Sequence, residues 1–190
     1  MRDRVIRDEI HRDVLVPAHH ARIIDTHEFQ RLRNIQQLST CEFVFPSATH
    51  TRFAHSLGAY FLAGELTSSL QEVQPGLLSD SDAELVQIGA LLHDIGHPPY
   101  SHLLETPEVF ATFHSHEHWG RILLESEDSE IGQVLADVLG EERKQRLFAL
   151  LDGQQECNGV PIAPFLKEII SSQLDVCLLY TSDAADESTC

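Results

Sequence analysis

Positive charge is what this chain has least of. Lys and Arg total 13 against 30 Asp and Glu, a formal net charge of −17 over 190 residues. Broad electrostatic binding to nucleic acid or to an anionic membrane needs a surplus of cations on some face, so both are disfavoured as partners. An anionic substrate would need a local positive site. No run of eighteen apolar residues occurs, and the start Met1-Arg-Asp-Arg-Val lacks the basic, apolar and small-residue order of a secretory signal, so a cytoplasmic address is expected. The four cysteines (Cys41, Cys157, Cys177, Cys190) are scattered and form no CxxC pair, which argues for buried or incidental thiols over a disulfide framework or thiolate zinc site. Internal repeats and low-complexity linkers are also missing, and a single domain is the starting assumption.

What the chain does have is helical periodicity. Apolar residues recur at three- and four-residue steps, while alternating β-branched runs are scarce, so the fold class is all-α. Asp25 and Glu28 have capping-box spacing ahead of Phe29, Leu32, Ile35 and Leu38, which predicts a helix over about 26–38 with Arg31 and Arg33 on its outer, solvated face. The segment from Cys41 to Ser47 reads as an extended connection, because Pro46 disfavours helix at Phe45. A second helix is expected from near Thr51 to about Leu70. Ser81 and Glu84 repeat the capping spacing before a third helix, which carries Leu85, Ile88, Leu91, Leu92 and Ile95 and ends at Gly96. Residues from about 115 to 139 are helical with a break in the acidic segment Glu125 to Glu130, and helices are expected over 141–151 and 163–174.

The second abundance is histidine: twelve in all, six of them between His93 and His118. His93-Asp94 closes an apolar helix and sets an imidazole and a carboxylate side by side at the rim of the core. About one His-Asp dipeptide is expected by chance at this composition, so its surroundings carry the weight. They are rich. Upstream lies Thr49-His-Thr-Arg-Phe-Ala-His55, with Arg52 and His55 on one helical face; downstream lie His97, His102, Glu105 and His116-Glu117. Imidazole and carboxylate together suit a divalent ion such as Mn, Mg, Fe or Zn, and histidines on separate helices can converge on one ion in a bundle. That ion would supply the missing positive charge, with histidines beside it as acids or bases near neutral pH. His114 and His118 read as ordinary surface or core residues.

The order Phe29-Gln-Arg-Leu-Arg…Gln37-Leu…Val44-Phe-Pro-Ser-Ala-Thr-His-Thr-Arg-Phe-Ala-His55-Ser-Leu-Gly…Leu92-His-Asp-Ile-Gly-His-Pro-Pro-Tyr-Ser-His102…His116-Glu…Ile170-Ser-Ser-Gln-Leu-Asp175 resembles the HD-superfamily deoxynucleoside triphosphate triphosphohydrolases, which include bacterial enzymes and the SAM- and HD-domain enzyme of animals. The resemblance implies an HD-domain helical bundle around a metal site, and cleavage of a dNTP, dGTP among the candidates, to deoxynucleoside and inorganic triphosphate. It implies His55, His93 and Asp94 as metal ligands. His102 becomes the acid that protonates the leaving 5′-oxygen, with Glu105 orienting it; His97 and His116 contact the phosphates. Arg52 holds the triphosphate, and Gln37 lies near the deoxyribose. Asp25, Gln30 and Arg33 match a guanine-nucleotide allosteric site, although Arg7 to Arg12 departs from the family. A nucleotide activator and a homo-oligomer of the full-length protein are implied as partners.

The resemblance runs from about residue 5 to 176 and then breaks. Where the family places its fourth ligand, an aspartate, this chain has Cys177, and Tyr180 to Cys190 reads as translated adapter sequence. The expected organisation is therefore an incomplete HD domain over 1–176 and an artefactual tail over 177–190. Two further readings stay open: an HD phosphodiesterase or nucleotidase, and a regulatory module that keeps the fold without catalysis.

Overall fold

The computed structural model describes residues 2–8, 10–100 and 114–170. Its elements in chain order are β1 (Arg4–Asp8), β2 (Arg12–Val16), α1 (Ala18–Ile24), α2 (His27–Gln30), α3 (Arg52–Val73), α4 (Asp80–Leu92), α5 (His116–Glu125), α6 (Glu130–Leu151), β3 (Glu156–Cys157), β4 (Val160–Pro161) and α7 (Pro164–Ile170). Helix dominates the described residues, and the strands form two small antiparallel pairs, β1-β2 and β3-β4. None of the described helices is long and apolar enough to cross a membrane. Backbone proximity divides the chain into two units, one built from 1–57 and 92–140, the other from 58–91 and 141–190.

The first unit opens on a hairpin that the periodicity reading did not anticipate. Arg7 pairs with Asp13 across it, and the Asp8 carboxylate accepts the backbone N–H groups of Ile10 and His11 at 3.0 and 2.9 Å, closing the turn. The turn coincides with the stretch that departs from the family pattern. Each strand has five residues and only Val14 and Val16 are fully buried, so the alternation was too short to register.

The helix expected over 26–38 is much shorter. After α2 the chain tightens into a 3-10 turn at Arg31–Asn34 and is extended at Ile35. The reason is a competing set of hydrogen bonds: Arg52 N–H donates to the Ile35 carbonyl at 2.8 Å and Gln37 N–H to the His50 carbonyl at 3.0 Å. Backbone groups that would have continued the helix are used to pin the approach to α3. Phe29, Leu32 and Ile35 are buried as expected, whereas Leu38 is exposed. Arg31 also departs from expectation, being turned inward and half-buried.

Both expected capping boxes are replaced. Thr26, not Asp25, precedes α2, and Glu28 reaches across to the start of α6, where its carboxylate accepts the N–H groups of Glu130 and Ile131 at 3.0 and 3.3 Å. Glu130 returns the contact by accepting the His27 N–H at 2.7 Å. Two helix N-termini thus satisfy each other's orphan donors. In α4, Ser79 rather than Ser81 caps, its Oγ accepting Asp82 N–H at 3.0 Å.

The second unit has its own core, in which Ala59, Ala63, Val86, Ala90, Leu150, Leu166 and Ile170 pack together. Between Leu85 and Leu92 only Gln87 retains notable exposure, so α4 is an interior helix. Arg146 holds Asp82 through two bonds of 2.7 and 3.1 Å, and Arg143 holds Glu84 at 2.6 Å. Gly140 breaks α6 at φ 71°, a conformation that costs glycine little, close to the boundary expected between the 115–139 and 141–151 segments.

Replacing Glu28 by Ala should lower the stability of the chain by about 1 kcal/mol, the usual cost of a lost N-terminal cap. Urea denaturation followed by far-UV circular dichroism reads the change, and an unaltered midpoint would show that the reciprocal caps contribute nothing.

A candidate metal centre

Every described residue of the site lies in the first unit. The first turn of α3 supplies Arg52 and His55, and the turn that follows α4 supplies His93, Asp94 and His97. α5 begins at His116, capped by Ser115, whose Oγ accepts the His118 N–H at 3.4 Å.

Asp94 is the hub and is only 5% exposed. Its Oδ2 accepts from Arg52 Nη1 and lies 3.4 Å from His55 Nε2; its Oδ1 lies 3.3 Å from His93 Nε2 and 3.5 Å from His97 Nε2. Burial alone would raise the pKa of this carboxyl. The nearby His93, the hydrogen bond from His97, His55 and the Arg52 guanidinium outweigh it and hold Asp94 well below the usual carboxylate range. His55 moves the other way: burial, with His93 and Arg52 beside it, pushes its pKa down to about 4, so the ring is neutral and its lone pair available near pH 7. Burial also lowers the pKa of His97.

Two sets of donors converge here, His55 with His93 and Asp94, and Asp94 with His97 and His116. Ring geometry separates them. The His55 and His93 rings are inclined at 62°, with their Nε2 atoms 3.4 Å apart, so in-plane lone pairs can meet at one point. Ligand atoms about 2.1 Å from a tetrahedral ion stand about 3.4 Å apart, which matches the separation of the two Nε2 atoms, and each imidazole lies at a similar distance from one oxygen of Asp94. The His97 and His116 rings are stacked at 3.7 Å and 14°, and lone pairs in nearly parallel planes do not meet at a single ion. His55, His93 and Asp94 therefore fit a divalent ion, while His97 and His116 form an adjoining imidazole pair.

The close approach of α5 depends on Gly96. A Cβ at that position would lie 2.0 Å from the His116 carbonyl oxygen and 2.2 Å from Gly120 N, so nothing larger than glycine lets His116 stack on His97. Glu117, which the sequence reading left without a role, has an oxygen 3.4 Å from His116 Nε2.

The remaining expected site residues are placed as follows. Gln37 sits on the segment pinned beside 50–52, and its Oε1 is buried without a hydrogen-bond partner among the described residues. Asp25 is paired with Arg4 at 2.6 Å. Gln30 accepts from Arg33 Nε at 2.8 Å, and the Arg33 guanidinium lies 3.5 Å over the Phe53 ring. Asp25, Gln30 and Arg33 thus engage partners within the chain. His102, Glu105 and Cys177 lie outside the described residues. Cys41 and Cys157 are free thiols, Cys41 being exposed rather than buried.

Replacing Gly96 by Ala should cost roughly 1–3 kcal/mol, since backbone must move to admit the methyl group; a thermal melt unchanged from the parent would contradict the tight approach of α5. The metal-free chain should also lose stability as pH falls from about 6.5 toward 4. Over that range an unfolded His55 takes up a proton and the folded one does not, so the unfolded state binds more protons. Denaturation in chelator at several pH values checks this, and His55→Gln should flatten the slope.

The chain is similar to several known proteins. The HD domain family matches residues 52–160, more than half of the chain. An uncharacterized protein of Methanocaldococcus jannaschii is 47% identical over 118 residues, covering 62% of this chain and 23% of that protein. Deoxynucleoside triphosphate triphosphohydrolase SAMHD1 of Homo sapiens is 50% identical over 103 residues, covering 54% of this chain and 16% of that protein. Among solved structures, a hypothetical protein from Aquifex aeolicus superposes with a TM-score of 0.75 at 33% identity, covering 96% of this chain and 46% of that one. The chain thus spans less than a quarter of the length of these curated relatives. With the matched segment containing Arg52, His55, His93, Asp94, His97 and His116 in one cluster, the chain belongs to the HD domain family.

Proposed function

We propose that this chain carries the reaction centre of a metal-dependent phosphohydrolase that cleaves a deoxynucleoside triphosphate to the deoxynucleoside and inorganic triphosphate. The observation that carries the reading is the convergence of His55, His93 and Asp94 around one point, with the Arg52 guanidinium on the same carboxylate. A divalent ion held there supplies positive charge and Lewis-acid polarisation of a phosphate oxygen. The choice of substrate is supported by the identity to proteins named as deoxynucleoside triphosphate triphosphohydrolases, 42–50% over about a hundred residues.

In this reading the chain's own groups divide the work. Water adds to the α-phosphorus, the bond from that phosphorus to the 5′-oxygen breaks, and the proton lost by the water is balanced by one delivered to the departing oxygen. His102 is the residue assigned to that delivery, with Glu105 fixing its ring. The stacked His97 and His116 face the phosphates, and Arg52 divides its charge between Asp94 and the triphosphate, for which its planar fork is suited. Gln37, whose buried oxygen has no hydrogen-bond partner among the described residues, is assigned to the sugar. A regulatory nucleotide would recruit Asp25, Gln30 and Arg33, exchanging their internal partners for phosphate and base, and assembly into a homo-oligomer belongs to the longer protein.

Incubating the chain and its His93→Ala variant with each of the four dNTPs and Mg²⁺ or Mn²⁺, then resolving phosphate products by anion exchange, tests the proposal. Inorganic triphosphate should form only with the unaltered chain, at a rate on the order of 10² times that of the variant or more. Pyrophosphate or monophosphate as the product would overturn it.

A further inference from the structure

Arg31 was expected on a solvated face, and the structure places it elsewhere. From the start of the 3-10 turn its guanidinium reaches the turn after α4, donating through Nη1 to the His97 carbonyl at 2.8 Å and through Nη2 to the Ile95 carbonyl. Those acceptors lie in the turn that follows α4, so one guanidinium satisfies two backbone carbonyls on either side of Gly96. The guanidinium is half-buried, and burial lowers its pKa from the ordinary arginine value. So much desolvation is offset only if both bonds are kept.

The two carbonyls flank Gly96, the residue against which the α5 backbone presses. The turn carrying Asp94 and His97 is therefore gripped by α5 at Gly96 and by Arg31 at the carbonyls on either side of it. His97 is the residue most affected. Its carbonyl is bound by Arg31, its Nε2 lies 3.5 Å from Asp94 Oδ1, and its ring stacks on His116. Holding the backbone at residue 97 sets where that ring begins, and hence which oxygen of Asp94 it occupies.

We propose that Arg31 is a positioning residue of the HD centre: by bridging the Ile95 and His97 carbonyls it sets the His97–Asp94 contact and so the orientation of the carboxylate presented to the metal. The link to turnover rests on the phosphohydrolase reading; the link to the geometry of Asp94 does not. A planar fork can serve two carbonyls two residues apart, whereas a lysine ammonium can serve one well, so the two cations are not interchangeable here.

The test compares Arg31→Lys and Arg31→Gln with the parent chain by three readouts: helicity and melting temperature, the tautomer of the metal-free His97 ring by long-range ¹H–¹⁵N correlation, and Mn²⁺ affinity by isothermal titration. Arg31→Lys should stay folded, change the His97 tautomer distribution from that of the parent, and bind Mn²⁺ about 10–100-fold more weakly, as replaced outer-shell partners of metal ligands do. Arg31→Gln, if folded, should show at least the same losses. Where the parent turns over dNTP, kcat should fall with KM little changed. A folded Arg31→Lys with the parental His97 tautomer and a Mn²⁺ affinity within twofold overturns the proposal. So does unfolding of both variants, which would assign Arg31 to the fold. A parent chain that binds Mn²⁺ and hydrolyses no dNTP would remove the phosphohydrolase reading while leaving the tautomer and affinity results to decide the role of Arg31.

Discussion

A carboxylate that has lost nearly all contact with water must find positive charge or hydrogen-bond donors, and in this chain that carboxylate is Asp94. Leaving such a group uncompensated costs several kcal/mol, more than a domain can readily spare. The environment shows how the cost is met: Arg52 on one oxygen, His97 on the other, and His55 and His93 converging on the same carboxylate. The helices and turns of the first unit are arranged so that these four side chains reach one carboxylate. The same grouping that makes the anion tolerable also produces a ligand set, because imidazole nitrogens beside an ionised carboxylate are what a divalent cation binds.

The scarcity of cations gives this arrangement its character. With a formal charge of −17, an unpaired arginine would be drawn to many acidic partners, yet several of the few available are committed to defined contacts. Arg146 and Arg143 hold acidic side chains of α4, Arg4 holds Asp25, Arg31 holds two backbone carbonyls, and Arg52 holds Asp94. Arg52 is thus the one of these arginines committed to Asp94.

Short-range patterns were legible to different degrees. Capping-box spacing gave the correct neighbourhood for helix starts but the wrong partners, because a carboxylate three residues from a candidate cap is free to bond any orphan N–H within reach. Glu28 found those of α6 instead of its own helix. Apolar periodicity identified the buried Phe29, Leu32 and Ile35, and could not show that the chain would leave the helix at Ile35 to bond residues 50–52. Gly96 read only as a helix stop and Arg31 only as a solvated residue; neither reading pointed to the contact it makes. One is needed because of a helix that begins twenty residues later, the other because of a turn more than sixty residues away.

What the sequence determined by itself is the helical class and the identity of the chemical groups: His55, His93 and Asp94 are of ligand type, and they stand at the start of one helix and the end of another. Residue chemistry and helical spacing are local properties, set by side-chain pKa values and a 3.6-residue turn. Only the tertiary structure decided which groups share a point in space, that His55 and His93 are inclined toward each other while His97 and His116 are stacked, and that Arg31 faces inward. Those outcomes follow from burial and backbone hydrogen bonds between segments far apart in the chain, and desolvation acts on a residue only after the segments that cover it have come together.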